Sequence, residues 1–170
     1  MRIRYSIALG ALLGGPVAAA DLNLSIEIPR LTVAEYHRPY VAIWLEGKDQ
    51  KFVSNLSVWY DLKLKNEEGT KWLKDMRQWW RKSGRELQMP VDGLSGATRA
   101  PGLQQISFTR AKAPLDTLPA GEYQLVIEAA REVGGRELLR VPFHWPPTSV
   151  QTAKTKGEHE LGAIALELKP

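Results

Sequence analysis

Short apolar runs with a period of two residues constrain the fold of this chain more than any other feature of its sequence. Residues 22–28 alternate strictly, with apolar side chains at the even positions, which is typical of a β-strand buried on one face. Pro29 ends this run, because proline lacks the N–H that a strand ladder uses. Residues 40–45 are apolar on both faces, which predicts a central strand covered on both sides.

The rest of the chain adds further short strands separated by turn signals. Residues 46–50 predict a turn and 51–62 a returning strand, and the Gly134-Gly135 pair predicts a second hairpin. Four more apolar runs predict strands, at residues 103–108, 122–130, 137–143 and 160–168. The proline-bearing stretch 144–156 is predicted to be a polar loop. About seven short strands of this kind predict a mainly β fold, an antiparallel immunoglobulin-like β-sandwich.

The hydrophobic period changes from two residues to about 3.6 after Gly69. Large apolar side chains then recur at i, i+4, i+7 and i+8, on one side of a helix, and these are Trp72, Met76, Trp79 and Trp80. We therefore predict one amphipathic helix over about residues 70–83, inserted between two strands. Trp72, Met76 and Trp80 are expected to pack the helix onto the sandwich, because aromatic side chains dominate the energetics of cores. One of Trp79 and Trp80 is expected to be more exposed than the other, because adjacent positions on a helix point about 100° apart. An exposed tryptophan that stacks on a flat ligand is the alternative.

The first twenty residues have the composition of a secretory signal peptide. Arg2 and Arg4 precede a short apolar run, and residues 18–20 supply the small side chains that a signal peptidase needs. The apolar run is too short to span a bilayer of about 30 Å as a helix. We expect a cleaved signal peptide over residues 1–20, export to the periplasm by the general secretory route, and a single β-sandwich domain over 21–170. An uncleaved membrane anchor is the alternative.

Charge and residue content exclude several classes of function. Removing Arg2 and Arg4 lowers the net charge from +4 to +2, and no block of Lys or Arg remains that would indicate nucleic-acid binding. The chain has no cysteine, which excludes disulfides, thiolate metal sites and thiol catalysis. The three histidines lie far apart, so the sequence predicts no metal site. Without a Gly-x-Ser-x-Gly elbow or another convergent set of side chains, we predict no catalytic residues.

Four charged residues surround the predicted Gly-Gly hairpin, and these are Glu128, Arg131, Glu132 and Arg136. Exposed ion pairs of this kind contribute less than about 1 kcal/mol each. We therefore interpret the cluster as paired surface charge, and a docking patch is the alternative.

The stretch 92–102 lacks a hydrophobic period and consists mostly of small, turn-forming residues, which predicts an exposed loop of the kind that often carries function. Its first seven residues, Asp-Gly-Leu-Ser-Gly-Ala-Thr, are similar to the Asp-x-x-(Ser/Thr)-Gly-Ala-Thr signal for covalent attachment of FMN. That signal occurs in the FMN-carrying subunits of sodium-pumping quinone reductases and related electron-transfer complexes. There an FAD:protein FMN transferase joins FMN to the final threonine through a phosphoester.

The resemblance implies that Thr98 is the attachment residue for FMN. It also implies cofactor-binding roles for the rest of the motif, which here is Asp92, Ser95, Gly96 and Ala97. The residue types suit the chemistry, since a phosphoester needs a reachable hydroxyl and small neighbours keep the approach open. The alternative is an ordinary turn in which Asp92 and Ser95 bond to nearby backbone groups.

Away from this loop the chain departs from those quinone-reductase subunits. Most of the chain after residue 20 instead resembles an exported bacterial family, domain-of-unknown-function family 2271. The similarity is carried by residues 38–44, 72–80, 95–99 with 101–102, 118–123 and 128–132. Members tend to accompany FMN transferases and membrane-anchored redox proteins, so the resemblance implies both as partners. Together with the motif it predicts an extracytoplasmic redox accessory protein that carries FMN on Thr98 and relays electrons to or from a membrane partner. The alternative is a non-catalytic periplasmic binding or scaffold module that docks on a membrane redox or metal-uptake protein.

Overall fold

A computed structural model describes residues 21–170, and the predicted signal peptide lies outside this range. Within the described range the chain forms nine β-strands and one short α-helix, α1 (Arg77–Lys82), with 3₁₀ segments between them. The strands are β1 (Asp21–Ile28), β2 (Tyr40–Gly47), β3 (Phe52–Tyr60), β4 (Ser95–Ala97), β5 (Gly102–Thr109), β6 (Gly121–Ala130), β7 (Arg136–Trp145), β8 (Gln151–Lys156) and β9 (Ala163–Lys169). The prediction of a mainly β fold is confirmed.

The strands form two sheets, in the orders β5-β1-β9-β8 and β4-β3-β2-β6-β7. The order β3-β2-β6-β7 matches the C′-C-F-G order of a variable-type immunoglobulin sheet. Among the described strands every pairing is antiparallel except that of β3 with β4, which is parallel. The β-sandwich was therefore predicted correctly, and the short β3-β4 pair is its one departure from antiparallel pairing among the described strands.

Strand β8 occupies part of the stretch that was predicted to be a polar loop. Its residues alternate between half-buried and exposed positions, but the side chains turned inward are only Gln151, Ala153 and Thr155. No large apolar side chain marks the buried face, so the period of two is invisible to a hydrophobicity pattern. Lys154 and Lys156 on the outer face suit an edge strand, because charged side chains oppose pairing with a further chain.

The main core lies between the two sheets. The even-numbered residues of β1 are all buried there, as the alternation predicted, and they face the odd-numbered residues of β2. The other face of β2, with Tyr40, Ala42 and Trp44, is also buried, under the helical segments between β3 and β4. The prediction that this strand is covered on both sides is confirmed, and the helical segments form a third layer.

The predicted single helix over residues 70–83 is broken into a 3₁₀ segment, Lys65–Asp75, and the six-residue α1. The large side chains that are fully buried along these segments are Leu73, Met76 and Trp79. Leu73 lies in the 3₁₀ segment and Trp79 in α1, with Met76 between them. Trp72, which was predicted to pack onto the sheet, is 46% exposed, so that prediction is wrong.

A buried carboxylate from the sheet determines where α1 begins. Glu128 on β6 is fully buried and accepts hydrogen bonds from the backbone N–H groups of Gln78 at 3.0 Å and Trp79 at 2.8 Å. The first N–H groups of a helix have no partner within the helix, and a negative charge beside them is favourable. Arg136 binds the same carboxylate at 2.8 Å. A side chain about fifty residues away in the sequence therefore binds the first turn of the helix and fixes where it begins.

A second carboxylate organises the loop before β9. Glu137 on β7 accepts four backbone N–H groups at 2.7 to 3.1 Å, from Glu158, His159, Glu160 and Leu161. Burial raises the pKa of Glu137, but the four hydrogen bonds together lower it by more than burial raises it. The pKa therefore lies below its ordinary value of 4.5. The ionised form of this side chain therefore holds the loop.

We expect Glu137→Gln to lower the free energy of unfolding at neutral pH by about 1–3 kcal/mol, because the amide nitrogen that replaces one carboxylate oxygen cannot accept the N–H groups bound there. The folded-state pKa is depressed, so the carboxylate contributes stability that is fully present above the ordinary value of 4.5 and is lost as the pH falls through the folded-state pKa. The deficit of the variant should therefore shrink in acid. Urea denaturation near neutral pH and at about pH 3 measures this, with exposed Glu122→Gln as control. A deficit that is equal at both pH values would contradict the assignment.

Candidate functional site

Thr98 lies at the open edge of the larger sheet, directly after β4. The parallel register places Gly96 opposite Trp59 on β3, and a Cβ at Gly96 would lie 3.2 Å from the indole. Glycine therefore permits the close approach of the two strands. This packing brings Thr98 to the end of β3, where its hydroxyl donates to the carboxylate of Asp61 at 3.2 Å. The side chain of Thr98 is half-buried.

Thr98 lines a cavity of about 350 Å³. Its walls come from five segments: the loop before β2, the end of β3, the 3₁₀ segment, the residue after β4 and the end of β6. The side chains that matter for its chemistry are Tyr36, Tyr40, Asp61, Trp72, Thr98 and Arg131. Cavities that bind small molecules usually have volumes of about 300–1,000 Å³, so this one is large enough for a ligand.

Three of the lining side chains are aromatic. Trp72 presents an exposed ring to the cavity. Burial raises the pKa of Tyr40 to about 12, and burial also raises the pKa of Tyr36 above its ordinary value. Both phenol groups are therefore protonated at neutral pH. The cavity thus combines flat rings with hydroxyl groups, a lining suited to a planar polar ligand.

Arg131 is the most confined charge in the cavity wall, with a side chain only 6% exposed. Its Nε and Nη2 atoms donate to the carboxylate of Glu160 at 2.8 and 3.1 Å. A Cβ at Gly134 would lie 2.6 Å from Nη2, and one at Gly135 would lie 2.9 Å from Oε1 of Glu160. The Gly-Gly pair that predicted a hairpin therefore also makes room for this buried ion pair.

The interpretation of the hairpin charges as surface pairs is wrong for two of the four residues. Glu128 is fully buried beneath α1, and Arg131 is almost fully buried against Glu160. Arg136 is partly exposed, and Glu132 is exposed 3.5 Å from His37. The error arose because a local charge pattern does not reveal partners from distant parts of the chain. These are the backbone of α1 for Glu128 and the carboxylate of Glu160 for Arg131.

The structure separates the residues of the attachment motif. Thr98 lies in the cavity wall, whereas Asp92 is exposed beside a different depression. The hydroxyl of Ser95 accepts the backbone N–H of Val91 at 2.9 Å, as the turn alternative expects. The other two motif residues, Gly96 and Ala97, continue β4 along β3. Of the five motif residues, Thr98 alone contributes to the lining of the cavity.

Sequence reasoning missed Tyr36 and Asp61, and it missed the buried role of Arg131. These residues come from three segments that only the folded chain brings together. Gly69, for example, packs directly against the backbone carbonyl of Asp61, where any Cβ would clash. The one available signal was the density of glycines at residues 69, 134 and 135, each of which allows a close approach of this kind.

The histidines do not converge in the structure. His37 contacts Glu35 at 2.7 Å, and His144 contacts Glu122 at 2.8 Å. Within residues 21–170 no group of three or more histidine, cysteine or acidic side chains could hold a metal ion. In the same part of the chain, no helix has both the length and the apolar content needed to cross a bilayer.

Comparisons with known proteins identify a family. Neither a search of curated proteins nor a search of solved structures found a match. A family model described as "Predicted periplasmic protein (DUF2271)" matches residues 21–163. The matched range includes residues 92–98 and every residue that lines the cavity. The chain therefore belongs to domain-of-unknown-function family 2271, which is described as predicted to be periplasmic.

Proposed function

We propose that this protein is an extracytoplasmic redox accessory protein that carries FMN covalently on Thr98 and relays electrons to or from a membrane partner. The observation that carries the proposal is that the motif's final hydroxyl, half-buried, lies in the wall of a ligand-sized cavity. The motif supplies an attachment residue, and the cavity supplies room for the group that would be attached. Neither feature alone would distinguish a flavin carrier from an ordinary loop beside a groove.

The lining of the cavity suits FMN in size and in chemistry. A volume of about 350 Å³ falls in the range of small-molecule sites. Trp72 and Tyr36 offer flat surfaces for a planar ring system, and the guanidinium of Arg131 offers a donor to ring oxygen and nitrogen atoms. The flavin would supply the redox chemistry, while the protein supplies binding, orientation and electrostatics.

Attachment on Thr98 is a transfer of an FMN phosphoryl group from FAD. A bond forms between the threonine oxygen and the phosphorus of the FMN half, the pyrophosphate bond breaks, AMP leaves, and the hydroxyl proton passes to a base. In the folded protein the hydroxyl of Thr98 already donates to Asp61 at 3.2 Å. This contact fixes the orientation of the hydroxyl, and the FAD:protein FMN transferase provides the remaining groups.

The test is to express the full chain with and without an FAD:protein FMN transferase and to compare the purified products. With the transferase we expect the intact mass to rise by one FMN less one water, and the protein band to fluoresce as flavin in a denaturing gel. Without the transferase we expect neither change. An unmodified mass in cells whose transferase modifies a known acceptor domain would contradict the proposal.

A second candidate function is docking on a membrane redox or metal-uptake protein without a cofactor. It is favoured by a basic depression of about 450 Å³ beside α1, lined by Lys74, Arg77, Arg81 and Arg136 together with Trp80. An acidic partner surface would be electrostatically complementary to it. Capture of one membrane partner by unmodified protein, and loss of that capture in Arg77→Glu, would favour this function over electron relay by a covalently bound FMN.

A further inference from the structure

We propose that Arg131 and Tyr36 bind the pyrimidine edge of the isoalloxazine ring, and that Arg131 thereby raises the reduction potential of the flavin. This inference rests on the proposed attachment of FMN to Thr98. It adds the part of the cavity that receives the ring, the side chains that hold it, and a measurable consequence for its redox chemistry.

The first observation is an unused donor on Arg131. Two of its three nitrogens bind Glu160, whereas Nη1 is buried and has no hydrogen-bond partner among residues 21–170. Because the guanidinium is planar and rigid, its Nη1 group points away from the carboxylate that the other two nitrogens bind. Buried polar groups nearly always have a partner, and an unpartnered N–H on a charged group requires an explanation.

The second observation is that another unused group lies in the same wall. The hydroxyl of Tyr36 is also buried without a partner, and the guanidinium carbon of Arg131 lies 6.0 Å from the centre of the Tyr36 ring. Only three buried side-chain nitrogen or oxygen atoms in the described part of the chain lack a hydrogen-bond partner, and two of them belong to residues that line this cavity. A ligand that brings hydrogen-bonding groups to this wall would satisfy both.

The pyrimidine edge of a flavin has the matching chemistry. It carries two carbonyl oxygens and a ring nitrogen as acceptors for Arg131, and its acceptors also suit the phenol of Tyr36, which burial keeps protonated. Two electrons from the redox partner and one proton from solvent would leave the ring with a single negative charge near this edge. A confined cation beside that charge stabilises the reduced form, because the low local dielectric strengthens their interaction.

Glu160 acts here as a positioning residue. It holds the guanidinium fork through two hydrogen bonds, while its Oε1 also accepts the backbone N–H of Gly135 at 2.8 Å. Its oxygens are therefore engaged away from Nη1. Removing Arg131 alone would leave this carboxylate buried and unpaired, which destabilises proteins strongly. A useful variant must replace both members of the pair.

The test compares midpoint potentials of flavin-loaded protein, measured by reductive titration against a reference dye. The double variant Arg131→Met with Glu160→Gln keeps the net charge. The amide oxygen of the new glutamine side chain can still accept the backbone N–H of Gly135. At a given potential we expect the ratio of oxidised to reduced flavin in this double variant to be at least tenfold higher than that of the wild type. This is equivalent to a midpoint potential lower by about 30 mV for a two-electron couple. Arg110→Met with Glu122→Gln changes the same residue types at exposed positions, and we expect no shift.

Tyr36→Phe provides a second test, because it removes one oxygen atom and preserves the shape of the side chain. We expect a smaller shift in the same direction, about threefold. One outcome is that intact mass shows FMN on Thr98 in every protein while the Tyr36→Phe variant and any folded double variant have the wild-type potential. That result overturns this inference and leaves the proposed function standing. If wild-type Thr98 stays unmodified beside an active transferase, both are overturned.

Discussion

Replacing Glu128 with alanine is expected to lower the free energy of unfolding by about 3–5 kcal/mol, the usual cost of removing one partner from a buried ion pair. The substitution leaves Arg136 without its carboxylate and leaves the N–H groups of Gln78 and Trp79 without an acceptor. It also removes one of the contacts that hold the helical layer to the sheet. Because that layer carries Trp72, the wall of the cavity should loosen as well.

Urea denaturation followed by tryptophan fluorescence measures the effect. Glu128→Gln should lose less stability than the alanine variant, because its amide oxygen still accepts one N–H group. The matched control is Glu122→Ala, an exposed glutamate on the same strand, for which we expect a change within about 0.5 kcal/mol. A loss in Glu128→Ala no larger than in this control would show that Glu128 does not anchor the helical layer.

Replacing Thr98 with valine is expected to abolish covalent flavin attachment while leaving the protein folded. Valine has the shape of threonine but has no hydroxyl to form the phosphoester. The only hydrogen bond lost is the solvent-accessible one to Asp61, so stability should change by no more than about 1 kcal/mol. Thr98→Ser keeps the oxygen and should still be modified. The readouts are in-gel flavin fluorescence and intact mass after co-expression with the transferase.

Ser95→Ala is the matched control for this pair of variants. Ser95 is the other hydroxyl residue of the motif, but its side chain is bound to the backbone of Val91 and lies outside the cavity lining. We expect the alanine variant to lose that hydrogen bond and to retain FMN. Attachment to the Thr98→Val protein, or loss of attachment in Ser95→Ala without unfolding, would contradict the assignment of Thr98.

The strands that could be predicted are those whose burial follows a local pattern. The alternation in β1 and the two apolar faces of β2 were enough, because neighbouring side chains in a strand point to opposite faces. Strand β8 was missed because its inward positions carry no large apolar side chain. The break in the helix was missed because its cause, the Glu128 carboxylate, belongs to a strand that follows much later in the chain.

The residues of the candidate site also differ in whether a local sequence pattern reveals them. Thr98 could be proposed as the attachment residue because the motif that contains it is contiguous in the sequence. Arg131 and Tyr36 could not, since only the folded chain brings them to one cavity and leaves one polar atom of each without a partner. The Gly134-Gly135 pair leaves room for the buried ion pair of Arg131 and Glu160. In the sequence, however, the pair cannot be distinguished from the glycines of an ordinary hairpin turn.

The most direct test of the central claim is to locate the flavin within one peptide. Cleavage after Arg85 and Arg99 releases residues 86–99, in which Ser95 and Thr98 are the only hydroxyl-bearing side chains. After co-expression with the transferase, fragmentation should find the mass of one FMN less one water on the C-terminal fragment Thr98-Arg99. Flavin on Ser95 instead, or an unmodified peptide beside an active transferase, would contradict the proposal that this protein carries FMN on Thr98.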